Sequence, residues 1–337
     1  MIAPFRRLSC ITLIAALGLL SGCGGSSPQK ETKAGLTPVK FQTDWYAQAE
    51  HGGYYQAVAN GDFAAQGLDV DILQGGPGAF VAQKVATGQV QFGMGRSDDI
   101  MLAVKEGLPV VIVCALMQHD PQALLLHESD PANSFADLNG RTIMTAPGAA
   151  WTEYVQKQFG ITFNVIPINY GLAQFMSDPT FIQQCFVTNE PYFVKQNGGA
   201  AKTLLIASSG YDPYRVIFTS KKFARENPAA VRAFVAASIS GWDKFLNQDA
   251  TPGKTLISSR NDKMSPEFID FSIAAMKEAQ LVGGDASRGE RIGLLKRSRM
   301  QALSETLAQL GVLPAVMPLE DYVSFEFLPP DLAALSQ

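Results

Sequence analysis

Short apolar runs alternate with longer amphipathic stretches along most of this chain. The short runs are rich in β-branched residues and are bounded by Gly, Pro, Asn and Asp, as is typical of buried strands between turns. Because helix-like segments separate many of these runs, the pattern predicts an α/β fold with largely parallel sheets. The predicted strands cover residues 39–43, 70–73, 91–94, 110–115, 123–127, 142–144, 164–168, 184–187, 204–207 and 216–219.

A helical repeat of apolar residues dominates the chain after Lys221. Asn227 and Pro228 are typical of a helix start, since proline already has the backbone angle of a first helical turn. The same spacing recurs over residues 266–281 and 297–310, so the C-terminal part is predicted to be mainly helical. The apolar face of the helix after Pro228 is formed by Val231, Phe234, Val235, Ser238 and Trp242.

The first residues have the pattern of a secretory signal. Arg6 and Arg7 provide positive charge, and an apolar run over residues 8–20 follows them. A membrane-spanning helix needs about 20 apolar residues, so this apolar run is too short for a typical transmembrane helix. Residues 1–22 are therefore predicted to be a signal peptide that is removed.

The end of this apolar run, Leu-Ser-Gly-Cys, resembles a bacterial lipobox. Ser21 and Gly22 present little bulk to a peptidase, and Cys23 would then receive the lipid. Residues 23–37 are polar and are predicted to form a flexible, lipidated tether. A plain signal peptide with an incidental cysteine is the alternative. The pattern predicts an extracytoplasmic lipoprotein anchored in a membrane, and Gly24 leaves the choice of inner or outer membrane open.

The remaining length suits two lobes rather than one small domain, since the chain has 337 residues. The segment from Pro121 to Ser208 carries its own strands and helices, as an inserted lobe would. Residues 38–120 and 209–337 are therefore predicted to form lobe 1, and residues 121–208 to form lobe 2.

Composition and charge exclude some classes of protein. Hydrophobic residues make up 47% of the chain, enough to bury a sizeable core and to argue against disorder. Loss of Arg6 and Arg7 would leave 25 basic residues against 31 acidic ones, a net charge of −6. A nucleic-acid-binding surface requires a basic face, which this chain lacks, so no nucleic-acid partner is expected.

Only two cysteines remain beyond Cys23. Cys114 and Cys185 lie in apolar runs, which predicts buried free thiols. An oxidising compartment would also permit a disulfide between them, and the sequence does not decide their pairing.

Motifs of common enzymes are absent from the sequence. There is no phosphate-binding P-loop, no His-Glu-x-x-His, no Cys-x-x-Cys and no Gly-x-Ser-x-Gly. His119 and His127 are predicted to be solvated or at the edge of the core rather than to be ligands. No catalytic residue, metal or cofactor is expected.

Aromatic and acidic residues gather where predicted strands end, which is where ligands bind in open α/β folds. Aromatic rings can stack on a flat heteroaromatic solute, and carboxylates can accept its N–H groups. These strand-end segments favour a small-molecule binding site, although each residue could also pack or cap a helix. They include Asp44-Trp45-Tyr46, His51, Ser97-Asp98, Gly148 to Trp151, and Glu190.

Several motifs together resemble the thiamine-pyrimidine-precursor-binding family, which is related to the nitrate, sulfonate and taurine binding proteins. The resemblance spans about residues 38 to 330, and the motifs keep their order. They are Asp-Trp-Tyr-x-x-x-Glu-His-Gly-Gly-Tyr-Tyr-Gln-Ala from Asp44, Gln-Gly-Leu-Asp-Val from Gln66, Phe-Gly-Met-Gly-x-x-Asp from Phe92, Gly-Leu-Pro-Val from Gly107, and Val-Thr-Asn-Glu-Pro from Val187.

The resemblance implies a two-lobed periplasmic-binding-protein fold of type II, with a ligand cleft between the lobes. It implies a monomer that binds an aminopyrimidine or similar heteroaromatic and docks on the permease subunits of an ABC importer. By position, Trp45 would stack on the ring near His51, and Glu190 would accept from an exocyclic amine. Further cleft residues would be Ser97, Asp98, Gly148 and Trp151.

Alternatives remain within and beyond this class. Nitrate, a sulfonate such as taurine, or riboflavin could be the solute, because a fold does not fix its ligand. The family also resembles a eukaryotic synthase of the thiamine pyrimidine, whose donor Lys and His correspond here to Gly95 and Asp99. The cysteine-rich run of that enzyme is absent as well, so a binding protein is favoured over an enzyme. A lipoprotein sensor or scaffold that passes its ligand to another membrane partner is a further alternative.

Overall fold

The computed structural model describes residues 35–337, and its strands form two five-stranded sheets. The first sheet has the order β2-β1-β3-β10-β4, and the second has the order β7-β6-β8-β5-β9. The strands are β1 Thr37–Gln42, β2 Leu68–Leu73, β3 Phe92–Arg96, β4 Val110–Met117, β5 Gln122–His127, β6 Thr142–Thr145, β7 Asn164–Pro167, β8 Ile182–Phe186, β9 Ala201–Leu205 and β10 Arg215–Ser220.

Helices lie between the strands and dominate the C-terminal part. The α-helices are α1 Gly52–Ala59, α2 Asp62–Ala65, α3 Val81–Ala86, α4 Ser97–Lys105, α5 Ala150–Phe159, α6 Ala173–Ser177, α7 Glu190–Gln196, α8 Lys221–Glu226, α9 Pro228–Asn247, α10 Thr251–Arg260, α11 Pro266–Glu278, α12 Arg297–Gln309, α13 Leu319–Tyr322 and α14 Pro330–Leu335. Short 3₁₀ helices cover Ala49–His51, Phe135–Leu138, Ile206–Ser209 and Ala286–Arg288.

Each predicted strand overlaps an observed one, and the largest shift is at β9. Its apolar run was predicted over residues 204–207, but β9 spans Ala201–Leu205 and a 3₁₀ helix begins at Ile206. The predicted helix start at Pro228 is confirmed, and its predicted apolar face is buried throughout. Buried apolar side chains at helical spacing therefore identified this helix correctly.

The prediction of largely parallel sheets is confirmed in part: in each sheet four strands run in one direction and one strand runs against them. β1 pairs in parallel with β2 and β3, and β6 pairs in parallel with β7 and β8. However, β10 is antiparallel to β3 and β4, and β5 is antiparallel to β8 and β9. A parallel neighbour needs a crossover helix on the face of the sheet. β5 and β10 each enter their sheet from the other one, so no such crossover sets their direction.

Two connections join the sheets. Residues 118–121 run from β4 to β5, and residues 206–214 run from β9 to β10. The lobe boundaries at residues 120/121 and 208/209 remain a prediction. The predicted signal peptide, Cys23 and all but the last residues of the predicted tether lie outside the described residues. Among residues 35–337, no helix is long and apolar enough to cross a membrane.

The core of the first sheet is aromatic, and it fixes the position of α1. The rings of Phe92 and Phe234 stack with centroids 4.0 Å apart, and Phe41 packs beside them. α1 lies against α9 so closely that a Cβ atom at Gly53 would sit 2.1 Å from the ring of Trp242. Glycine is therefore required there, directly after His51 and the loop that follows β1.

The two body cysteines are unpaired, as predicted. Cys114 lies on β4 in the first sheet and Cys185 on β8 in the second, and both are buried free thiols. Burial raises the pKa of both thiols well above its ordinary value, so neither is a ready nucleophile.

Candidate functional site

A cavity of about 400 Å³ opens at the carboxyl ends of β1 and β8. Its walls come from the loop after β1, the loop after β7, the start of α7 and the segment between α10 and α11, so both sheets contribute. We call it the aromatic cavity. Its lining comprises Asp44, Trp45, Tyr46, Gln48, Ile168, Tyr170, Leu172, Gln184, Cys185, Phe186, Asn189, Glu190, Phe193, Asn261, Lys263, Met264 and Phe268.

Three aromatic side chains form one end of this cavity. The ring of Trp45 lies 5.4 Å from that of Tyr170, at 40°, and 5.6 Å from that of Tyr46, at 74°. Tyr170 is 63% exposed and has a φ of 58°, a left-handed conformation that is uncommon for a bulky residue. The three rings offer faces on which a flat ring can stack.

Glu190 supplies a carboxyl group to the same cavity. It is the first residue of α7, and its Oε2 accepts a hydrogen bond of 2.8 Å from the Phe186 amide. Burial, with a further contribution from the charge of Glu50, raises the pKa of Glu190 to about 7. The group can therefore exist in either protonation state near neutral pH, and its ionised form can accept N–H groups from a ligand.

Glu50 lies behind Glu190 in a chain of buried polar groups. Its carboxylate accepts from the Thr188 hydroxyl, and the Thr188 carbonyl accepts from Ser272 Oγ at 2.8 Å. Burial raises the pKa of Glu50 as well. Where these carboxyl groups are ionised, they favour a solute that donates hydrogen bonds or carries positive charge.

The arginines nearest the cavity are already paired within the protein. Arg215 forms ion pairs with Asp44 and, at 3.1 Å, with Asp120, and it lies 5.1 Å from the ring centre of Phe186. Arg96 is paired with Asp98. Burial acts to raise the pKa of Asp44, but Arg215 and the His51 hydrogen bond outweigh it and hold that pKa well below its usual range. Lys263 is the basic residue among the cavity lining.

Of the sequence-predicted site residues, Trp45 and Glu190 line the aromatic cavity, together with Asp44 and Tyr46 of the same strand-end segment as Trp45. His51 is fully buried behind it, with Nε2 3.1 Å from Asp44 Oδ1. Ser97 Oγ accepts from the Tyr214 amide at 3.0 Å. Asp98 accepts from Arg96 and, at 2.6 Å, from the Tyr211 hydroxyl.

Gly148 and Trp151 are also absent from the cavity lining. Gly148 lies in an exposed turn before α5, with a φ of 75°. Trp151 is fully buried and packs on Phe163, with ring centres 6.1 Å apart. The loop that connects β6 to α5 therefore contributes no side chain to the lining described above.

Sequence reasoning missed most of the remaining lining. Tyr170 follows β7 directly, so the strand-end rule that pointed to Trp45 could have found it. Lys263 and Met264 lie in a loop between two helices, where neither strand ends nor motifs give a signal. No group of three or more metal-ligating side chains occurs among residues 35–337.

Comparison with known proteins finds one matching family and several solute-binding relatives. The profile of a family described as NMT1/THI5 like matches residues 48–251. The riboflavin-binding protein RibY of Chloroflexus aurantiacus is 26% identical over 312 residues, covering 85% of this chain and 79% of that protein. The formylaminopyrimidine-binding protein of Halalkalibacterium halodurans is 22% identical over 275 residues, 77% of this chain and 82% of that one.

An enzyme is also among the relatives. The 4-amino-5-hydroxymethyl-2-methylpyrimidine phosphate synthase of Candida albicans is 24% identical over 227 residues, 62% of this chain and 67% of the enzyme. Among solved structures, the periplasmic aliphatic sulphonate binding protein SsuA of Escherichia coli matches with a TM-score of 0.65 at 12% identity, covering 85% and 92% of the two chains. This likeness confirms the two-lobed periplasmic-binding-protein fold.

Proposed function

Because the chain belongs to the NMT1/THI5 like family, we propose that it is the solute-binding component of an ABC-type importer. The family match, the binding-protein relatives and the fold support this proposal. The solute would bind in the aromatic cavity, and closure of the two lobes would expel the water around it. Lobe 1 would comprise residues 38–120 and 209–337, and lobe 2 would comprise residues 121–208. Its partners would be the solute and the permease subunits, and the protein would act as a monomer.

The proposed solute is a neutral or cationic heteroaromatic with an exocyclic amine, and an aminopyrimidine is the leading candidate. The observation that carries this proposal is Glu190, a largely buried carboxyl group at one cavity wall with Trp45 and Tyr170 nearby. The rings would stack on the solute while the carboxylate accepts its N–H groups.

Small oxyanions are disfavoured as solutes. An oxyanion site needs several cationic or N–H donors, but Arg96 and Arg215 are held by internal carboxylates, and Lys263 is the one basic residue in the described cavity lining. Glu190 and Glu50 would also repel an anion. A flavin is the second candidate, since the cavity of about 400 Å³ exceeds the needs of a single small ring and one relative is a riboflavin-binding protein.

The enzyme alternative is disfavoured by the residues present. The family resemblance assigns the donor Lys and His of the synthase to positions that hold Gly95 and Asp99 here. Neither residue can supply the atoms of a pyrimidine ring in the same way. Purified protein is expected to form no pyrimidine product when iron is added, and product formation would overturn the binding-protein assignment.

We further propose that the protein is exported and anchored by lipid at Cys23. The support is the order of Arg6-Arg7, an apolar run and Leu-Ser-Gly-Cys in the sequence. Mass spectrometry of membrane-extracted protein should find a lipidated N-terminal Cys23, and Cys23→Ser should release the protein from the membrane fraction. An intact, unmodified N-terminus would contradict the anchor but not the solute-binding role.

A thermal-shift screen tests the proposed function. The purified protein would be heated with hydroxymethyl- and formylamino-pyrimidines, riboflavin, taurine and nitrate. A ligand at 100 times its Kd adds about 2.7 kcal/mol to stability, which corresponds to a shift of about 4 °C in the unfolding midpoint of a body of about 300 residues. A shift with the pyrimidines is expected. A shift with nitrate or taurine alone would overturn the proposed solute class.

A further inference from the structure

A second hollow adjoins the aromatic cavity and shares Tyr46 and Asn261 with it. Its volume is about 520 Å³, and most of its lining residues have polar side chains. We call it the polar pocket. Tyr46, which is half exposed, stands between the two spaces. The other lining residues are Gln74, Gly75, Ser258, Ser259, Arg260 and Asp262.

We propose that the polar pocket is a second subsite, which binds a neutral, hydroxylated tail of the solute whose ring occupies the aromatic cavity. This inference rests on the proposed function, because it requires a solute in the aromatic cavity. It also narrows the solute from any heteroaromatic ring to a ring with a polyhydroxyl substituent.

The wall of the polar pocket is fixed by hydrogen bonds. Gln74 Oε1 accepts from the Ala47 amide at 2.8 Å, and Gln74 Nε2 donates to the Arg260 carbonyl at 3.0 Å. Asn261 Nδ2 donates to the Ala47 carbonyl at 2.8 Å. These bonds hold the end of α10 against the loop after β1. A pocket that is already ordered costs less conformational entropy when a flexible tail binds.

The remaining polar groups suit hydroxyls. α10 ends at Arg260, and the chain leaves the helix at Asn261 with φ −144° and ψ 105°. The carbonyls at the end of a helix carry partial negative charge. The serine hydroxyls donate to backbone carbonyls, Ser258 to Met264 at 2.8 Å and Ser259 to Leu256 at 2.7 Å, so their lone pairs can accept.

The charges in the polar pocket argue against a phosphate tail. Arg260 supplies positive charge, but Asp262 and the helix carbonyls supply negative charge beside it. A phosphate would meet this negative charge directly. A hydroxyl group both donates and accepts, so a polyhydroxyl chain can pair with carbonyls, Asp262 and Arg260 together.

Two matched ligand series separate the tail from the ring. The first is cytosine, cytidine and cytidine monophosphate; the second is lumiflavin, riboflavin and flavin mononucleotide. Each series holds the heteroaromatic system nearly constant while it adds a hydroxylated tail and then a phosphate. Isothermal titration would give a Kd for each compound. Hydroxymethyl-aminopyrimidine, a ring without a polyhydroxyl tail, would be titrated as a reference ligand. In the series that binds, the member with the hydroxylated tail should bind about tenfold more tightly than the bare ring. The member that also carries a phosphate should lose this gain in affinity.

A filling variant tests the location. Ser259→Phe places a large side chain in the polar pocket, and Thr255→Phe places the same side chain on the exposed face of α10, outside the pocket lining. Ser259→Phe should remove the advantage of the tail and leave binding of the bare ring unchanged. Thr255→Phe should change neither the affinity gained from the tail nor the affinity for the bare ring.

Each outcome decides the inference. Equal Kd values with and without the tail, or an unchanged tail advantage in Ser259→Phe, would overturn the second subsite and leave the proposed function intact. If hydroxymethyl-aminopyrimidine binds and no member of either series binds, the second subsite is likewise overturned and the proposed function stays intact. Tighter binding of the phosphate members would overturn the neutral tail. No binding by any ring would overturn the proposed function together with the subsite.

Discussion

Glu190 is the residue on which solute recognition is expected to depend most. Glu190→Gln keeps the size of the side chain but removes its negative charge. A hydrogen bond to a charged group contributes about 1.5–3 kcal/mol, so affinity for an aminopyrimidine should fall by about tenfold to a hundredfold. Isothermal titration measures the change. Lys263→Met, at the exposed side of the cavity, is the control and should change affinity much less; an unaltered Kd in Glu190→Gln would contradict the role.

The raised pKa of Glu190 also predicts how affinity depends on pH. Only the ionised carboxylate can accept two N–H groups, and with a pKa of about 7 much of the free protein is protonated at pH 6. Affinity for a neutral aminopyrimidine should therefore rise from pH 6 to pH 8. The rise should disappear in Glu190→Gln. A profile that is flat in the wild type, or equally steep in both proteins, would show that another group titrates.

Trp45 provides a separate test of stacking. Loss of an aromatic platform under a base costs about 1–3 kcal/mol, so Trp45→Ala should weaken solute binding by that amount while Trp45→Phe retains most of the affinity. Trp45 is partly exposed, so neither variant should shift the unfolding midpoint strongly. If Trp45→Ala and Trp45→Phe bind equally well, the ring does not contact the solute.

At the scale of single residues, sequence reasoning reached side chains next to strand ends and little else. Trp45 and Glu190 follow β1 and β8 closely, so the strand pattern alone placed them at the cavity. Trp151 had the same kind of position, but it packs on Phe163 inside the core. Lys263 reaches the cavity from a helix–helix loop. Tertiary packing decides such cases, and it leaves no local pattern.

Among the structural elements, the connections between the sheets contain a histidine held between two carboxylates. His119, in the connection from β4 to β5, has Nδ1 2.6 Å from Asp212 and Nε2 3.0 Å from Glu290. Carboxylates only accept, so both ring nitrogens donate when the ring is protonated. Arg299 lies 2.8 Å from Asp212, and Arg288 lies 3.9 Å from Glu290. The hydrogen bond with Asp212 raises the pKa of His119, against the opposing effect of burial.

This arrangement predicts a pH-dependent stability. A histidine whose pKa is raised on folding stabilises the protein fully below its unfolded pKa of about 6.5. That contribution is lost as pH rises through the higher folded pKa. The unfolding midpoint of the wild type should therefore fall relative to that of His119→Gln as pH increases from 6.5. His127→Gln is the control, because the hydrogen-bond partner of His127 is the Phe175 carbonyl rather than a carboxylate. A constant difference between wild type and His119→Gln would contradict the prediction.

Element positions were largely predictable from sequence, but their pairing was not. Apolar runs located the strands because burial on a sheet requires them, and the α9 face followed from its spacing. The direction of β5 and β10 depends on which sheet each strand joins, a choice that no local pattern records. The role of His119 was missed for the same reason, since Asp212 and Glu290 are distant in sequence.

At the scale of the whole molecule, a buried arginine lies where the two sheets meet. Arg215 on β10 is paired with Asp44 and Asp120 and covers Phe186 of the second sheet. Arg215→Met would leave both carboxylates without their main partner, which typically costs about 3–5 kcal/mol. Chemical denaturation should show this loss. Arg225→Met removes an exposed arginine 3.9 Å from Glu226 and should cost less than about 0.5 kcal/mol. Similar stabilities for the two variants would contradict the structural role of Arg215.

The strand order of the first sheet has a consequence for when this chain can fold. β10 lies between β3 and β4, although about a hundred residues of sequence separate β4 from β10. During synthesis the sheet therefore lacks an internal strand until residue 220 has emerged, and α9, whose Phe234 completes the aromatic core, comes later still. Contacts between such distant segments form slowly. The first sheet of such a nascent chain therefore stays incomplete until late in synthesis, which leaves time for a chain to be threaded through a membrane before this sheet closes.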